Sequence, residues 1–329
     1  MRLLLTGAAG FIGSHYVRSL LSNRDGVDGS SVTAVTVLDK LTYSGNRANL
    51  APVERDSRLR FVEGDICDAG LVDDLMPGHD AVVHFAAESH VDRSIVGAAP
   101  FVITNVLGTQ TLLDAALRHG VGRFVHISTD EVYGSIETGS WIETWPLSPN
   151  SPYSAAKAGA ELLALAYHRT HKLDVVVTRC SNNYGPYQFP EKVIPLFVTN
   201  LLDGGTVPLY GDGGNVRDWL HVDDHCHGIA LALTGGRSGG IYNIGGGTEL
   251  TNKELTARLL AACGAGWDRV TPVADRKGHD RRYSLDHTKI AQELGYAPSV
   301  DLDTGLAGTV AWYRENRSWW EPLKARAAS

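Results

Sequence analysis

The sequence predicts an α/β protein built on a doubly wound parallel sheet, with a smaller mixed α/β lobe attached. Three observations carry this. Short apolar runs alternate with amphipathic helical patterns through the first half. Runs such as Ala81-Val82-Val83-His84-Phe85-Ala86 are apolar on both alternating faces, as parallel strands covered by helices on each side are. After about residue 180 the texture shifts to dense Pro, Gly and aromatic residues, Asn182-Asn183-Tyr184-Gly185-Pro186-Tyr187-Gln188-Phe189-Pro190 among them.

Taken in order, residues 2–6 form the first strand and end at Gly7-Ala8-Ala9-Gly10-Phe11-Ile12-Gly13. Here the first Gly permits a tight turn, the second lets backbone N–H groups approach a pyrophosphate, and the third lets helix pack on strand. The spacing predicts a helix over 11–23, with apolar pairs at Phe11/Ile12, Tyr16/Val17 and Leu20/Leu21 on one stripe. Further strands are expected at 32–39, 59–65, 80–87, 123–129 and 174–179. The second ends on Asp39, 26 residues after Gly13, where a carboxylate can hold an adenosine ribose and would repel a 2′-phosphate. The set reads as a Rossmann-type sheet that binds NAD. The third ends on Asp65-Ile66, an expected adenine contact. Residues 1–179 should form this lobe, with segments near 217–245 returning to it. Residues 180–324 form mainly the second lobe, and 325–329 a frayed tail.

Composition sets the boundaries. A chain of 329 residues with 43% hydrophobic and 20% charged residues has material for two lobes with buried cores. A net charge of −7 is the wrong sign for a nucleic-acid or anionic-membrane binder, so an anionic ligand needs local cations. Four cysteines without a C-x-x-C pair suggest neither a disulfide framework nor a thiolate zinc site. With no signal-like or membrane-length apolar run, a cytoplasmic protein is expected. His221 and His225 would share a helical face, but 13 histidines make chance clusters common and no metal is expected. Trp319-Trp320 is read as packing. Glycine, 36 residues, is in surplus over the usual ~7%.

Ser151-Pro152 starts a helix carrying Tyr153 and Lys157 one turn apart on one face. An ammonium beside a phenol should favour phenolate, lowering a pKa ordinarily near 10. The Tyr could then serve as base toward a hydroxyl whose carbon gives up hydride. Upstream, the strand ending Ile127-Ser128-Thr129 is followed by Asp130-Glu131.

Gly-x-x-Gly-x-x-Gly followed by Tyr-x-x-x-Lys resembles the extended short-chain dehydrogenase/reductase superfamily, which mostly works on nucleotide sugars. Longer strings narrow the resemblance: Asp39-Lys40-Leu41-Thr42-Tyr43-Ser44-Gly45-Asn46, Ala86-Ala87-Glu88-Ser89-His90-Val91-Asp92-Arg93-Ser94, Ser128-Thr129-Asp130-Glu131-Val132-Tyr133-Gly134, Ser181-Asn182-Asn183-Tyr184-Gly185-Pro186 and Arg217-Asp218-Trp219. Together they are similar to the dTDP-glucose 4,6-dehydratases, from the first strand to Trp312-Tyr313.

The resemblance implies a catalytic set. Tyr153 takes the C4 hydroxyl proton as hydride passes to NAD⁺, Thr129 bonds the C4 oxygen, and Lys157 tunes Tyr153 and holds the nicotinamide ribose. Glu131 abstracts the C5 proton, and Asp130 protonates the departing C6 hydroxyl. A 4-epimerase needs no such carboxyl pair, whereas elimination of water needs a base and an acid together. The resemblance places NAD against Gly7, Gly10, Phe11, Ile12, Gly13, Asp39, Lys40, Leu41, Thr42, Asp65, Ile66, Phe85, Ala86, Ala87, Ser89, Thr104, Ser128 and Asn183, besides Tyr153 and Lys157.

It places a dTDP-sugar against Ser89, Asn182, Lys192, Val193, Pro208, Leu209, Tyr210, Arg217, Asn252, Arg276 and His279, besides Thr129, Asp130 and Glu131. Lys277 stands where many members of the family carry proline. The stretches 101–119 and 152–170 are the expected halves of a four-helix bundle in a homodimer. The rival readings are another nucleotide-sugar 4,6-dehydratase, a 4-epimerase or decarboxylase on the same fold, and a catalytically silent NAD-binding regulator.

Overall fold

The computed structural model describes residues 1–275 and 278–327. The first half runs β1 (Arg2–Thr6), α1 (Phe11–Ser22), β2 (Ala34–Asp39), β3 (Leu59–Glu63), α2 (Ala69–Leu75), β4 (Ala81–His84), α3 (Val91–Val96), α4 (Ala99–Phe101), α5 (Gly108–Arg118), β5 (Arg123–Thr129), α6 (Pro152–His171) and β6 (Val175–Cys180). A π-helical turn, Val102–Leu107, joins α4 to α5. The remainder runs β7 (Asn182–Tyr184), α7 (Val193–Leu202), β8 (Val207–Tyr210), β9 (Val216–His221), α8 (Val222–Gly235), β10 (Ile241–Ile244), β11 (Glu249–Thr251), α9 (Asn252–Cys263), β12 (Val270–Val273), α10 (Thr288–Leu294), α11 (Leu302–Glu315) and α12 (Arg317–Ala327).

Seven parallel strands form the main sheet in the order β10-β6-β5-β4-β1-β2-β3. Alternation along β1 divides its core: Leu3 and Leu5 pack with Val35, Val37 and Tyr16 on one face, Leu4 with Val82, Phe124 and Val175 on the other. The chain leaves β1 toward β2 and β3, then returns to its other side as β4. That reversal opens a crevice at the carboxyl ends of β1 and β4. β10, from beyond the first half, adds to β6 in parallel.

A second group packs a three-stranded sheet, β11-β9-β7, and a two-stranded one, β12-β8, against α7, α9 and α11. Tyr184, Phe197, Leu255, Tyr313 and Trp320 build its core. Trp320 is fully buried and Trp319 bonds Asn49 Oδ1 at 2.9 Å, so the pair packs the terminal helix as expected.

The expected strands over 80–87 and 59–65 end earlier, at His84 and Glu63. Beyond Phe85, which donates to Thr6 O, β4 loses its ladder partner because β1 turns away at Gly7. The helix expected to fray after 324 continues to Ala327; Ala328 and Ser329 lie outside the described residues. Among the described residues no helix is long and apolar enough to cross a membrane.

Candidate active site

Two adjoining cavities open along the carboxyl edge of the main sheet. The larger, about 330 Å³, begins at the glycine loop. Gly7 has φ +70°, and a Cβ there would sit 2.4 Å from Ala86 Cα. A Cβ on Gly13 would come within 2.7 Å of Ala8 Cα, the close helix–strand approach the motif predicts. No side chain caps α1 at Gly10, so its first N–H groups face the cavity mouth as an anion cradle.

Asp39 closes β2 and accepts Ala9 N–H and Leu41 N–H, each at 2.8 Å. Burial outweighs these bonds and raises its pKa. Asp65 accepts Lys40 Nζ at 2.6 Å and Cys67 N–H at 2.9 Å; burial opposes, but these partners hold it below the usual carboxylate range.

Gly7, Gly10, Phe11, Ile12, Gly13, Lys40, Thr42, Ile66, Phe85, Ala86, Ala87, Ser89, Thr104, Ser128 and Asn183 line this cavity with Asp39 and Asp65. Leu41 departs from expectation. It takes φ +52° with its N–H tied to Asp39, and it is not part of the lining.

The reactive groups gather at the far end. β5 delivers Thr129, and a single 3₁₀ turn, Asp130–Tyr133, follows. Thr129 Oγ1 donates to Asp130 Oδ1 at 3.2 Å and accepts Glu131 N–H at 3.3 Å. α6 starts firmly: Ser151 and Ser154 form a reciprocal capping box with Pro152 in the first turn, which fixes where Tyr153 and Lys157 emerge. Lys157 Nζ donates to Ile127 O at 2.5 Å, tying the helix to β5.

The electrostatics divide the carboxyls. Asp130 is 3% exposed, and burial, then Glu131 and Asp218, raise it well above the ordinary range against the pull of Arg217. Its surroundings favour the acid form, while Glu131 lies at the junction of both cavities. Burial lowers Lys157 to about 8.

Tyr153 corrects an expectation. Its pKa is raised well above 10 by burial, then by Glu131 and Cys180, with only the Thr129 hydrogen bond among the leading influences pulling down. Lys157 is not among those influences, its ammonium being engaged by the Ile127 carbonyl.

The second cavity, about 230 Å³, shares Glu131, Asn182, Glu191 and Lys192 with the first. It brings together Val193, Pro208, Leu209, Tyr210, Arg217, Asn252 and His279. Arg217 is buried, donates to Asp280 O at 2.9 Å and lies 4.1 Å over the Tyr283 ring. His279 Nδ1 meets Asp275 Oδ1 at 2.5 Å. Arg276 and Lys277 lie outside the described residues. Arg281 and Arg282 pair with Asp212 and Glu249 and line neither cavity.

Sequence reasoning missed Glu191. Its side chain, 8% exposed, faces both cavities, with Arg93 at 3.2 Å and His90 at 3.6 Å. The available signal was a carboxylate beside Lys192 in an otherwise apolar, Pro-rich segment. His221 caps α8, and His225 is buried against Asn183 Oδ1 at 2.8 Å. Among the described residues, His15, Asp25 and Asp223 bring their ligand atoms within 4.8 Å, with His15 Nε2 at 2.9 Å from Asp223.

Comparison with known proteins agrees with this geometry. Residues 4–309 match the family model described as GDP-mannose 4,6 dehydratase. A dTDP-glucose 4,6-dehydratase from an Actinoplanes strain is 68% identical over 97% of this chain and 100% of its own length. The crystal structure of DesIV, a dTDP-glucose 4,6-dehydratase from Streptomyces venezuelae solved with NAD bound, superposes with a TM-score of 0.96. It is 68% identical over 98% of this chain and 100% of that one. A UDP-glucose 4-epimerase from Thermotoga maritima shares the fold at TM-score 0.88 and 34% identity, over 96% of this chain and 100% of that one. The chain belongs to the dTDP-glucose 4,6-dehydratase family.

Proposed function

We propose that this protein removes water from dTDP-glucose to give dTDP-4-keto-6-deoxy-glucose for deoxysugar biosynthesis, with NAD in the larger cavity and the nucleotide in the smaller. The observation that carries the reading is the buried Asp130, whose surroundings favour the acid form, beside Glu131 where the two cavities join. An epimerase has no use for such an acid. The NAD fit rests on the Gly7 cradle, the uncapped start of α1 and the carboxylate of Asp39. Bound NAD supplies the acceptor for the C4 hydride and later returns it to C6, leaving no net redox change.

The side chains do the rest. Tyr153, once bound NAD adds the positive charge that offsets its burial, works as phenolate and takes the C4 hydroxyl proton while Thr129 donates to the C4 oxygen. Lys157 holds the nicotinamide ribose from its fixed place on α6. Glu131 removes the C5 proton acidified by the new ketone, and Asp130 protonates the C6 hydroxyl as it leaves. Arg217 and His279 serve the pyrophosphate, a role the family resemblance also gives to Arg276, and Asn182, Lys192 and Asn252 hold sugar and base. In domain terms, residues 1–179 and the segments near 217–245 serve NAD, and 180–324 serve mainly the nucleotide sugar. The enzyme works in the cytoplasm as a homodimer.

The test is to incubate the purified protein, without added cofactor, with dTDP-glucose, UDP-glucose and GDP-mannose, and to follow product mass. Loss of one water from dTDP-glucose is expected. An isobaric product would establish an epimerase instead, and no turnover of any sugar would establish a regulator. Glu131→Gln should slow water loss by at least ~10²-fold and retain NAD; a variant that dehydrates normally removes Glu131 from the base role.

A further inference from the structure

Proton accounting over one turnover leaves the site out of balance. On the dehydratase reading, on which this inference rests, the C4 O–H bond breaks and its proton goes to the Tyr153 phenolate. The C6–O bond breaks, and the oxygen leaves as water with a proton from Asp130. Glu131 takes the C5 proton and gives one back to C5, so it ends as it began. The hydrogen leaving C4 as hydride arrives at C6. Each turnover therefore ends with a phenol at Tyr153 and a carboxylate at Asp130, each one proton away from its working state. One proton must cross from Tyr153 to Asp130 before the next substrate reacts.

Bulk water is poorly placed to carry it, since Asp130 is 3% and Tyr153 8% exposed. Thr129 lies between them. Its hydroxyl donates to Asp130 Oδ1 at 3.2 Å and accepts Glu131 N–H at 3.3 Å, and it is the neighbour that pulls against the upward shift of the Tyr153 phenol. A hydroxyl has one donor and two acceptor positions, so one acceptor position remains for the Tyr153 phenol.

We propose that the Thr129 hydroxyl is a proton relay that resets the site, passing the proton gained by Tyr153 to Asp130. The phenol O–H bond breaks as a new Oγ1–H bond forms, and the hydroxyl's own hydrogen moves to Asp130 Oδ1. No charge remains on Thr129. Rotation about Cβ–Cγ of Asp130, a soft two-fold torsion, exchanges its two oxygens. Its Oδ2, buried and without a hydrogen-bond partner among the described residues, is the oxygen left for the C6 hydroxyl. The relay is also timed. One hydroxyl hydrogen cannot serve the C4 oxygen and Asp130 together, so the path to Asp130 closes with sugar in place and reopens when the ketone leaves.

The experiment mixes excess dTDP-glucose rapidly with the NAD-loaded wild-type, Thr129→Val and Thr129→Ser proteins and quenches on the timescale of one turnover. Thr129→Val should form about one product per site and then slow a further ~10²-fold, the lower range of general acid–base contributions. Added formate should speed the later turnovers but not the first, and Thr129→Ser should restore an uninterrupted course. Infrared difference spectra give a readout independent of rate. The carboxylic-acid band absent from Asp130→Asn should return after turnover in wild type and stay lost after one turnover in Thr129→Val. A Thr129→Val course that is uniformly slow from the first product, or an acid band that returns in that variant as in wild type, overturns the relay and leaves Thr129 with the C4 oxygen alone. A wild-type protein that releases no water overturns the dehydratase reading itself.

Discussion

Three histidines show how burial sets the protein's response to acid. His84 and His126 stand side by side on β4 and β5 with ring centroids 5.4 Å apart, and His225 is enclosed in α8. Burial, aided by the Lys157 charge, lowers His84 to about 3; burial alone lowers His225 to about 3, and His126 moves the same way. The folded state thus keeps these rings neutral while the unfolded chain protonates them below about 6.5. The unfolded state binds more protons in that window, so their contribution is full above about pH 6.5 and is lost as pH falls toward 3. His84→Gln keeps a partner for Thr6 and Thr109 but removes one such proton. Urea unfolding between about pH 6 and 4 should then show a slope shallower by about 1.4 kcal/mol per pH unit; an unchanged slope would mean His84 is charged when folded. At this scale the sequence was legible where chemistry is local. Tyr153 and Lys157 are fixed by one helical turn, and Asp130-Glu131 by adjacency. Glu191 was not, because its environment is made by Arg93 and His90 from a segment about a hundred positions away. The buried Glu161–Arg179 pair was hidden for the same reason: a strand pattern does not reveal which helix will cover it.

Elements were legible to within a few residues, and their ends were not. Periodicity reports which residues face a core, whereas a strand stops where its neighbour stops. β4 looked apolar through Ala87, yet the turn at Gly7 removes its partner after His84, and Phe85, Ala86 and Ala87 line the cavity instead. Gly7 therefore has two duties, and its substitution should show both. In Gly7→Ala the positive φ costs about 1–3 kcal/mol, and the new Cβ meets Ala86 backbone that cannot yield. A Cβ on Gly10 meets only Gly7 O, at 3.2 Å. Gly7→Ala should lose both thermal stability and co-purifying NAD. Gly10→Ala should keep its melting temperature and lose NAD, because only the approach of the phosphates is obstructed. Equal stability losses in the two variants would place the glycine requirement in folding alone. The sequence marked both glycines as special but could not separate the two reasons, which depend on how close β4 comes.

For the whole molecule, the surplus apolar surface has one principal address. Val102, Ile103 and Leu107 near the start of the α5 segment and Leu162 on α6 are each about half exposed, and Val96 on α3 is 92% exposed. Isolated exposed leucines need no explanation, but several half-exposed apolar side chains on two helical segments packed against each other do. A two-fold axis through that face would set two helices of one copy against two of another and cover it with itself. Any charge placed there would enter such an interface twice, once from each copy, and each buried ion costs several kcal/mol. Leu162→Glu should therefore shift the sedimenting species from about twice 35.4 kDa to 35.4 kDa. Its side chain points away from the core, so thermal unfolding of each subunit should move far less than assembly. The effect should also reach the chemistry, since Tyr153, Lys157 and Leu162 share α6. Losing the partner would free the outer face of the helix that aims both groups, and kcat should fall more than KM rises. Wild-type protein that sediments at 35.4 kDa would leave this face to some other partner.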